Sequence, residues 1–300
     1  MKKKGILILA LLLLIAGGGI FAYPSLSDAV HQIRSSSSIK GYQKQVKETD
    51  ETAMNAMISE AEAFNKTLSD TLSIDPFQTG AVEPYLDDME YNSLLNVNGL
   101  MGYIDIPVID VYLPVYHGTS AATLKKGAGH LYGSALPVGG EGTHSVISAH
   151  RGLPSAKMFT DLDQIQMGDV FYFHVLNRIL AYQVDKIEVV EPTELSSLDP
   201  VPGEEYMTLF TCTPYGINSH RLLVRGVRIP YEVTTAEEAA KSADENAPKL
   251  NAAVSSATMM TVVGAGMLLL AAVVVMALLA VTVVTRIWKR HKRKKKGRRK

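Results

Sequence analysis

The sequence predicts a mainly β domain of roughly 130 residues, a closed barrel or a sandwich, preceded by helices and set between two apolar segments. Three observations carry this. From Gly102 onward the apolar pattern has period two, and β-formers dominate seven short runs: 103–106, 108–116, 145–150, 170–176, 179–190, 206–212 and 221–229. Upstream, residues 39–72 have few helix breakers and apolar positions near helical spacing. Outside both, residues 5–27 and 258–285 carry no charge at all.

Taken in order, Lys2, Lys3 and Lys4 form a basic N-terminus (1–4), and the apolar run 5–27 follows. That run is long enough for a hydrocarbon core of about 30 Å. It is read as a signal anchor, with a cleaved signal peptide as the alternative. Residues 28–98 form a helical region. Four serines, Ser35 to Ser38, are expected to cap a helix over 39–72, whose Ala53, Met54, Met57, Ile58, Ala61 and Phe64 share a face. Asp75-Pro76 turns the chain out of that helix and Gly80 closes the segment, so 73–80 is a loop. A short amphipathic helix is expected over 84–95. The β domain spans 99–231, with Asn177-Arg178 as a hairpin turn and a helical turn over 157–164. Residues 232–257 are a linker, 258–285 a second membrane helix, and 286–300 a polybasic tail.

Charge is segregated. Three of the 30 basic residues precede the first apolar run and eleven lie in 286–300, leaving 16 between the runs with all 30 acidic residues. Basic flanks mark the cytoplasmic side. The expected localisation is therefore the cell membrane, multi-pass, both termini cytoplasmic and the acidic domain outside. The tail beside a membrane segment is read as a stop-transfer signal in contact with the cytoplasmic membrane, not as a nucleic-acid site.

The single cysteine, Cys212, cannot form an intrachain disulfide, so in an exported domain it is buried, intermolecular or reactive. Alternation puts Thr208, Phe210 and Cys212 on one strand face and Leu209 and Thr211 on the other. A thiol attacks carbonyls as thiolate and needs a base or a cation nearby. Of the eight histidines, His150 is favoured because it ends a strand and opens into Arg151-Gly152-Leu153-Pro154. His220 is the rival by proximity, but it faces away if its neighbour Arg221 faces the cysteine. Arg221 and Arg225 share a face of the last strand; an arginine there suits oxyanion stabilisation or substrate orientation, not proton transfer. No metal-ligand spacing, P-loop or dinucleotide fingerprint is present, so neither metal nor cofactor is expected.

These residues resemble the sortase family. Thr208-Leu209-Phe210-Thr211-Cys212 fits its TLxTC motif, His150 in SVISAHRG fits its histidine, and Arg221 on the following strand fits its arginine. The resemblance covers roughly 99–231. It implies a closed eight-stranded β-barrel and transpeptidation at an LPxTG-like sorting signal, with catalytic His150, Cys212 and Arg221 and with Thr208, Leu209 and Thr211 beside the substrate. The stretches TCTPYGINSHRLLVRG and GAGHLYGSALPVGGEGTHSVISAHRG look like class C, the pilin-polymerising sortases. In that class a lid loop bears a DPF or DPW motif, and Asp75, Pro76 and Phe77 match it. Asp75 would then pair with Arg221, and Phe77 would cover Cys212. The implied partners are pilin subunits carrying LPxTG-like signals in a Gram-positive-type envelope. The alternatives are a cell-wall-anchoring sortase using a lipid-linked peptidoglycan precursor and a non-catalytic β-domain.

Overall fold

The computed structural model describes residues 2–68, 75–77 and 84–231. The linker 232–257, the segment 258–285 and the tail 286–300 lie outside the described residues, as do both ends of the 73–80 loop. The chain divides into two compact units, Met1–Phe21 with Lys249–Lys300, and Ala22–Pro248. The β domain belongs to the second.

Helix α1 spans Lys2–Glu48 and runs straight through the four serines expected to cap it. Ser35 explains why. It is buried, and its hydroxyl lies 3.5 Å from His31 Nδ1 one turn earlier, so it is a packing residue of a helix already formed. The break falls at Asp50, which caps α2 (Glu51–Asn65) by accepting from Ala53 N at 2.9 Å. Met54, Ile58 and Ala61 form the buried face of α2. The helix expected over 84–95 is shorter. A 3-10 turn at Pro84–Leu86 precedes α3 (Met89–Ser93), and the helix stops where Leu94 becomes extended and Leu95 takes φ +54°.

Among the described residues no helix is long and apolar enough to cross a membrane. The expected multi-pass membrane localisation, with both termini cytoplasmic, is corrected accordingly. Within α1 the apolar run ends at Ala22. Pro24, Ser25, Ser27 and Asp28 follow it in the same helix. Beyond that point α1 packs on the β domain: Asp28 accepts from Lys157 N, and His31 meets the Lys126 carbonyl at 3.2 Å.

Eight strands close into a barrel: β1 (Gly102–Ile106), β2 (Val111–His117), β3 (Ala128–His130), β4 (Thr143–Ser148), β5 (Val170–Val175), β6 (Arg178–Val190), β7 (Glu205–Thr213) and β8 (His220–Ile229). Their order around the barrel is β1-β2-β3-β4-β7-β8-β6-β5. The β2–β3 and β4–β7 pairs are parallel and the others antiparallel. The run expected over 108–116 begins later, because Pro107–Ile109 forms a 3-10 turn and Asp110 is left-handed at φ +51°. Strand β3 has only three residues, too few to show a period.

The barrel interior is filled by inward residues such as Ile104, Ile147, Phe171, Phe173, Leu209 and Val224. Gly226 of β8 admits this packing, since a Cβ there would lie 2.7 Å from the Phe171 ring. A second apolar cluster lies on the outer face of β4, β7 and β8. It contains Val146, Phe210 and Leu223, covered by Leu131 and by Leu195 and Leu198 of the β6–β7 connection. These two clusters give β7 two buried faces, and the catalytic candidates sit at the end of the outer one.

Across the barrel, the outer face of β1 carries a buried acid. Asp105 is 5% exposed and stands directly opposite Tyr112 of β2 and Tyr172 of β5. Gln43 of α1 donates to the hydroxyls of Tyr103 and Tyr112 at 3.0 and 3.4 Å, closing the helix over this patch. Among the described residues Asp105 has no hydrogen-bond partner. Burial pushes its carboxyl from 3.8 up to about 7. A carboxyl raised in the folded state favours folding when protonated. That contribution is complete below the unfolded value and is lost as pH rises through about 7. Asp105→Asn should therefore flatten the pH dependence of thermal unfolding and make the protein more stable than wild type at pH 8.5, by roughly 2–4 kcal/mol. Equal pH profiles for the two proteins would contradict this.

Candidate active site

Strand pairing places the three candidate groups side by side. Cys212 near the end of β7 is directly opposite Arg221 at the start of β8, so both project from the same face. On the other side, β4 runs parallel to β7 with Ser148 opposite Phe210. The alignment continues past the end of β4: Ala149 N donates to Phe210 O at 3.2 Å, and Thr211 Oγ1 donates to Ala149 O at 2.7 Å. His150 follows and takes the place beside Cys212. Histidine, cysteine and arginine thus form one row across three neighbouring strands.

The backbone beyond His150 is held by Arg151. Its guanidinium donates to Thr213 Oγ1 at 2.9 Å, to Thr160 O at 3.2 Å and to the Asp163 carboxylate. One side chain therefore ties the segment after the histidine to the segment after the cysteine. Gly152 next to it has φ +76°, and a Cβ there would come within 3.0 Å of the Tyr215 ring.

Residues 75–77 lie over this row. Asp75 accepts from Arg221 Nε at 2.9 Å and from Nη2 at 2.6 Å, a bidentate pair whose side chains are 5% and 7% exposed. Asp75 Oδ1 also accepts from Phe77 N at 3.2 Å, the local turn that aims the ring. Phe77 stacks on Phe210 (5.9 Å, 14°), lies 5.5 Å from the His150 ring and has the Arg221 guanidinium 5.8 Å from its centroid. Pro76 between them is half-buried. Arg221 Nη1 is separately held by the carbonyls of Asn218 and His220 at 3.0 and 2.9 Å. The guanidinium is thus anchored through one nitrogen, while its other two donors face Asp75.

The other arginine of the β8 face is committed elsewhere. Arg225 pairs with Asp185 at 3.1 and 2.5 Å and lies over the Tyr206 ring at 4.0 Å. His220 turns away, toward Ser219 at 2.8 Å and Glu191 at 3.2 Å. The residues expected beside the substrate are buried. Leu209 packs into the barrel interior, Thr208 bonds His144 Nε2 at 2.7 Å, and Thr211 holds Ala149 as described. Thr211 acts here by placing His150, and Arg151 supports the same segment. Sequence reasoning missed both roles, since each depends on a partner from a strand that is not adjacent in the chain. The HRG run was the available signal for Arg151.

Burial pushes the Cys212 thiol up to about 11, with Arg221 pulling it down and Asp75 pushing it further up. Burial lowers His150 from its ordinary value, and Lys125 lowers it further. Near pH 7 the pair is therefore a thiol and a neutral imidazole. Among the described residues neither the thiol nor the ring has a hydrogen-bond partner. Both groups are thus in their uncharged forms with residues 75–77 in place.

A model of the sortase domain matches residues 104–229. The chain is 28% identical over 142 residues to sortase A of Streptococcus agalactiae serotype III (strain NEM316), covering 46% of this chain and 57% of that one. It is 28% identical over 131 residues to sortase D of Bacillus subtilis (strain 168), covering 43% and 63%. It thus spans less than two thirds of these curated relatives. The crystal structure of Streptococcus pneumoniae sortase C superposes with a TM-score of 0.61 at 49% identity, over 66% of this chain and 98% of that one. Streptococcus agalactiae sortase C1 gives 0.61 at 42% identity, over 67% and 98%. The barrel carries cysteine, histidine and arginine in one row. The chain belongs to the sortase family.

Asp75→Ala should lower the pH midpoint of Cys212 alkylation, because it removes a negative charge that opposes the thiolate and uncovers the thiol. At pH 7.5 alkylation should speed up about tenfold or more. A rate equal to wild type would show that residues 75–77 do not cover the thiol.

Proposed function

We propose that the chain is a class C sortase that joins pilin subunits by transpeptidation at an LPxTG-like sorting signal. The observation that carries this reading is residues 75–77 held on the catalytic row by the Asp75–Arg221 pair, the arrangement that the resemblance to class C implies for a lid. The solved structures of similar sortases support it; one of these is of sortase C1 of a GBS pilus island.

The reaction begins when residues 75–77 withdraw and the signal's extended chain takes their place. Asp75 leaves Arg221, so the guanidinium charge acts on Cys212 without a counter-charge and favours the thiolate. Proton transfer from Cys212 to His150 gives thiolate and imidazolium. Sγ attacks the carbonyl carbon of the signal's threonine. The oxyanion that forms is met by Arg221 Nε and Nη2, the donors Asp75 had occupied. Collapse breaks the Thr–Gly bond, and His150 gives its proton to the departing amine, leaving a thioester on Cys212. A lysine amine of another pilin subunit then attacks the thioester and yields a proton to His150. The thiolate departs, and an isopeptide bond joins the subunits.

Arg221 fits the oxyanion role better than Arg225, because only Arg221 has donors released by movement of residues 75–77. Arg225 is fixed by Asp185 and Tyr206. The bidentate contact with Asp75 occupies these donors at rest, so substrate has to compete with the protein's own carboxylate.

The test is incubation of the full chain with purified pilin subunits, followed by denaturing electrophoresis. Wild type should give covalent high-mass ladders and Cys212→Ala none, with its unfolding transition intact. Ladders from Cys212→Ala would refute the thioester route. In the same assay Arg221→Ala should slow transfer about 10²- to 10³-fold, while Arg225→Ala should slow it less than tenfold; the reverse order would move the oxyanion role to Arg225.

A further inference from the structure

The outer face of β4, β7 and β8 is arranged in rows that step away from the reacting groups. The first holds His150, Cys212 and Arg221. The second holds Ser148, Phe210 and Leu223, since Ser148 pairs with Phe210 and Phe210 with Leu223. Phe210 and Leu223 belong to the outer apolar cluster, and Phe77 stacks on Phe210. Ser148 is the polar member of this row. It is 0% exposed, and its Oγ has no hydrogen-bond partner among the described residues.

Nearby hydroxyls on the same two strands are all satisfied. Ser145 donates to Ala135 O at 2.6 Å, Thr208 meets His144 Nε2 at 2.7 Å, and Thr211 donates to Ala149 O at 2.7 Å. A buried hydroxyl left unpaired carries a desolvation penalty that alanine, of nearly the same shape, would avoid. Its place is informative. Adjacent rows are separated by two residues of extended strand, about 7 Å. A peptide joined to Cys212 through its carbonyl and running along this face would bring its own main chain over the second row. There it would replace Phe77, and it would carry N–H and C=O groups at a fixed spacing whatever its side chains.

We infer that Ser148 positions the peptide: once residues 75–77 withdraw, its hydroxyl hydrogen-bonds the main chain of the acyl segment about two residues upstream of the carbonyl that Cys212 attacks. This rests on the reading of the chain as a sorting-signal transpeptidase and adds a recognition group to that same site. The unpaired state at rest is what makes the contact effective. A hydroxyl already bonded in the closed form would exchange one partner for another, whereas Ser148 gains a bond and gives up none. The strain of the empty site is stored in the resting protein and relieved by substrate.

The experiment uses the full chain and its Ser148→Ala variant. Thermal unfolding is measured with steady-state cleavage of two fluorogenic peptides. One carries an LPxTG-like signal. In the other, the amide between the signal's proline and the following variable residue is replaced by an ester, which removes the N–H donor and weakens the carbonyl acceptor. Ser148→Ala should unfold at the same or a higher temperature than wild type, yet lose about tenfold in kcat/KM on the amide peptide, chiefly through KM. The ester should cost wild type about tenfold and cost Ser148→Ala little more. If wild type cleaves the amide peptide and Ser148→Ala matches it, the positioning role falls and the transpeptidase reading stands. If Ser148→Ala unfolds earlier and still loses tenfold on the ester, the hydroxyl is structural and the inference is overturned. If wild type cleaves no such signal although Cys212 is alkylated by small reagents, the functional reading falls and the inference with it.

Discussion

The ion pair between Asp75 and Arg221 is the contact on which the proposed function rests. It joins residues 146 positions apart in sequence, and both carboxylate oxygens are engaged by the guanidinium. Removing one partner of a buried pair leaves the other uncompensated, at about 3–5 kcal/mol in typical cases. Here that cost is moderated. Arg221 keeps its contacts with the carbonyls of Asn218 and His220, and opening would admit water or substrate to the freed donors. In the proposed mechanism this pair holds residues 75–77 at rest and is exchanged for substrate. Phe77 adds an apolar contact on Phe210.

The resting chemistry follows from the same contact. Burial disfavours both the thiolate and the imidazolium, and so the charge-separated pair, in the closed site. Among the described residues Arg221 is the group that favours the Cys212 thiolate, and Asp75 offsets it. In the proposed mechanism, withdrawal of these three residues changes access, charge and oxyanion donors together. The barrel contributes rigidity: Cys212 and Arg221 are cross-strand partners, and His150 is set beside them by Thr211 and Arg151.

Much of this was legible in the sequence where the signal is local. Period two along 206–212 put Phe210 and Cys212 on one face, and the pairing with β8 bears this out. The turn after His150 marked a strand end, although β4 stops two residues earlier, at Ser148. What was not legible depends on non-local partners. Nothing in the local sequence says that β4 lies parallel to β7, and only that pairing brings His150 to the cysteine. Thr211 was visible on the strand face opposite Cys212, but its acceptor, the Ala149 carbonyl, was not. Asp75-Pro76-Phe77 reads locally as an ordinary turn, and the family resemblance alone drew attention to it. The serines before residue 39 look like a cap and prove to be interior because tertiary packing overrides local preference there.

The central claim is that Asp75 and Arg221 act as one latch on Cys212. A double-mutant cycle on the rate of Cys212 alkylation at pH 7.5 tests it directly, using Asp75→Ala, Arg221→Ala and the double variant. A latch predicts that the second substitution adds little once the first is made, with a coupling of at least about 1 kcal/mol between the two sites. Rates that multiply independently, with coupling near zero, would contradict it.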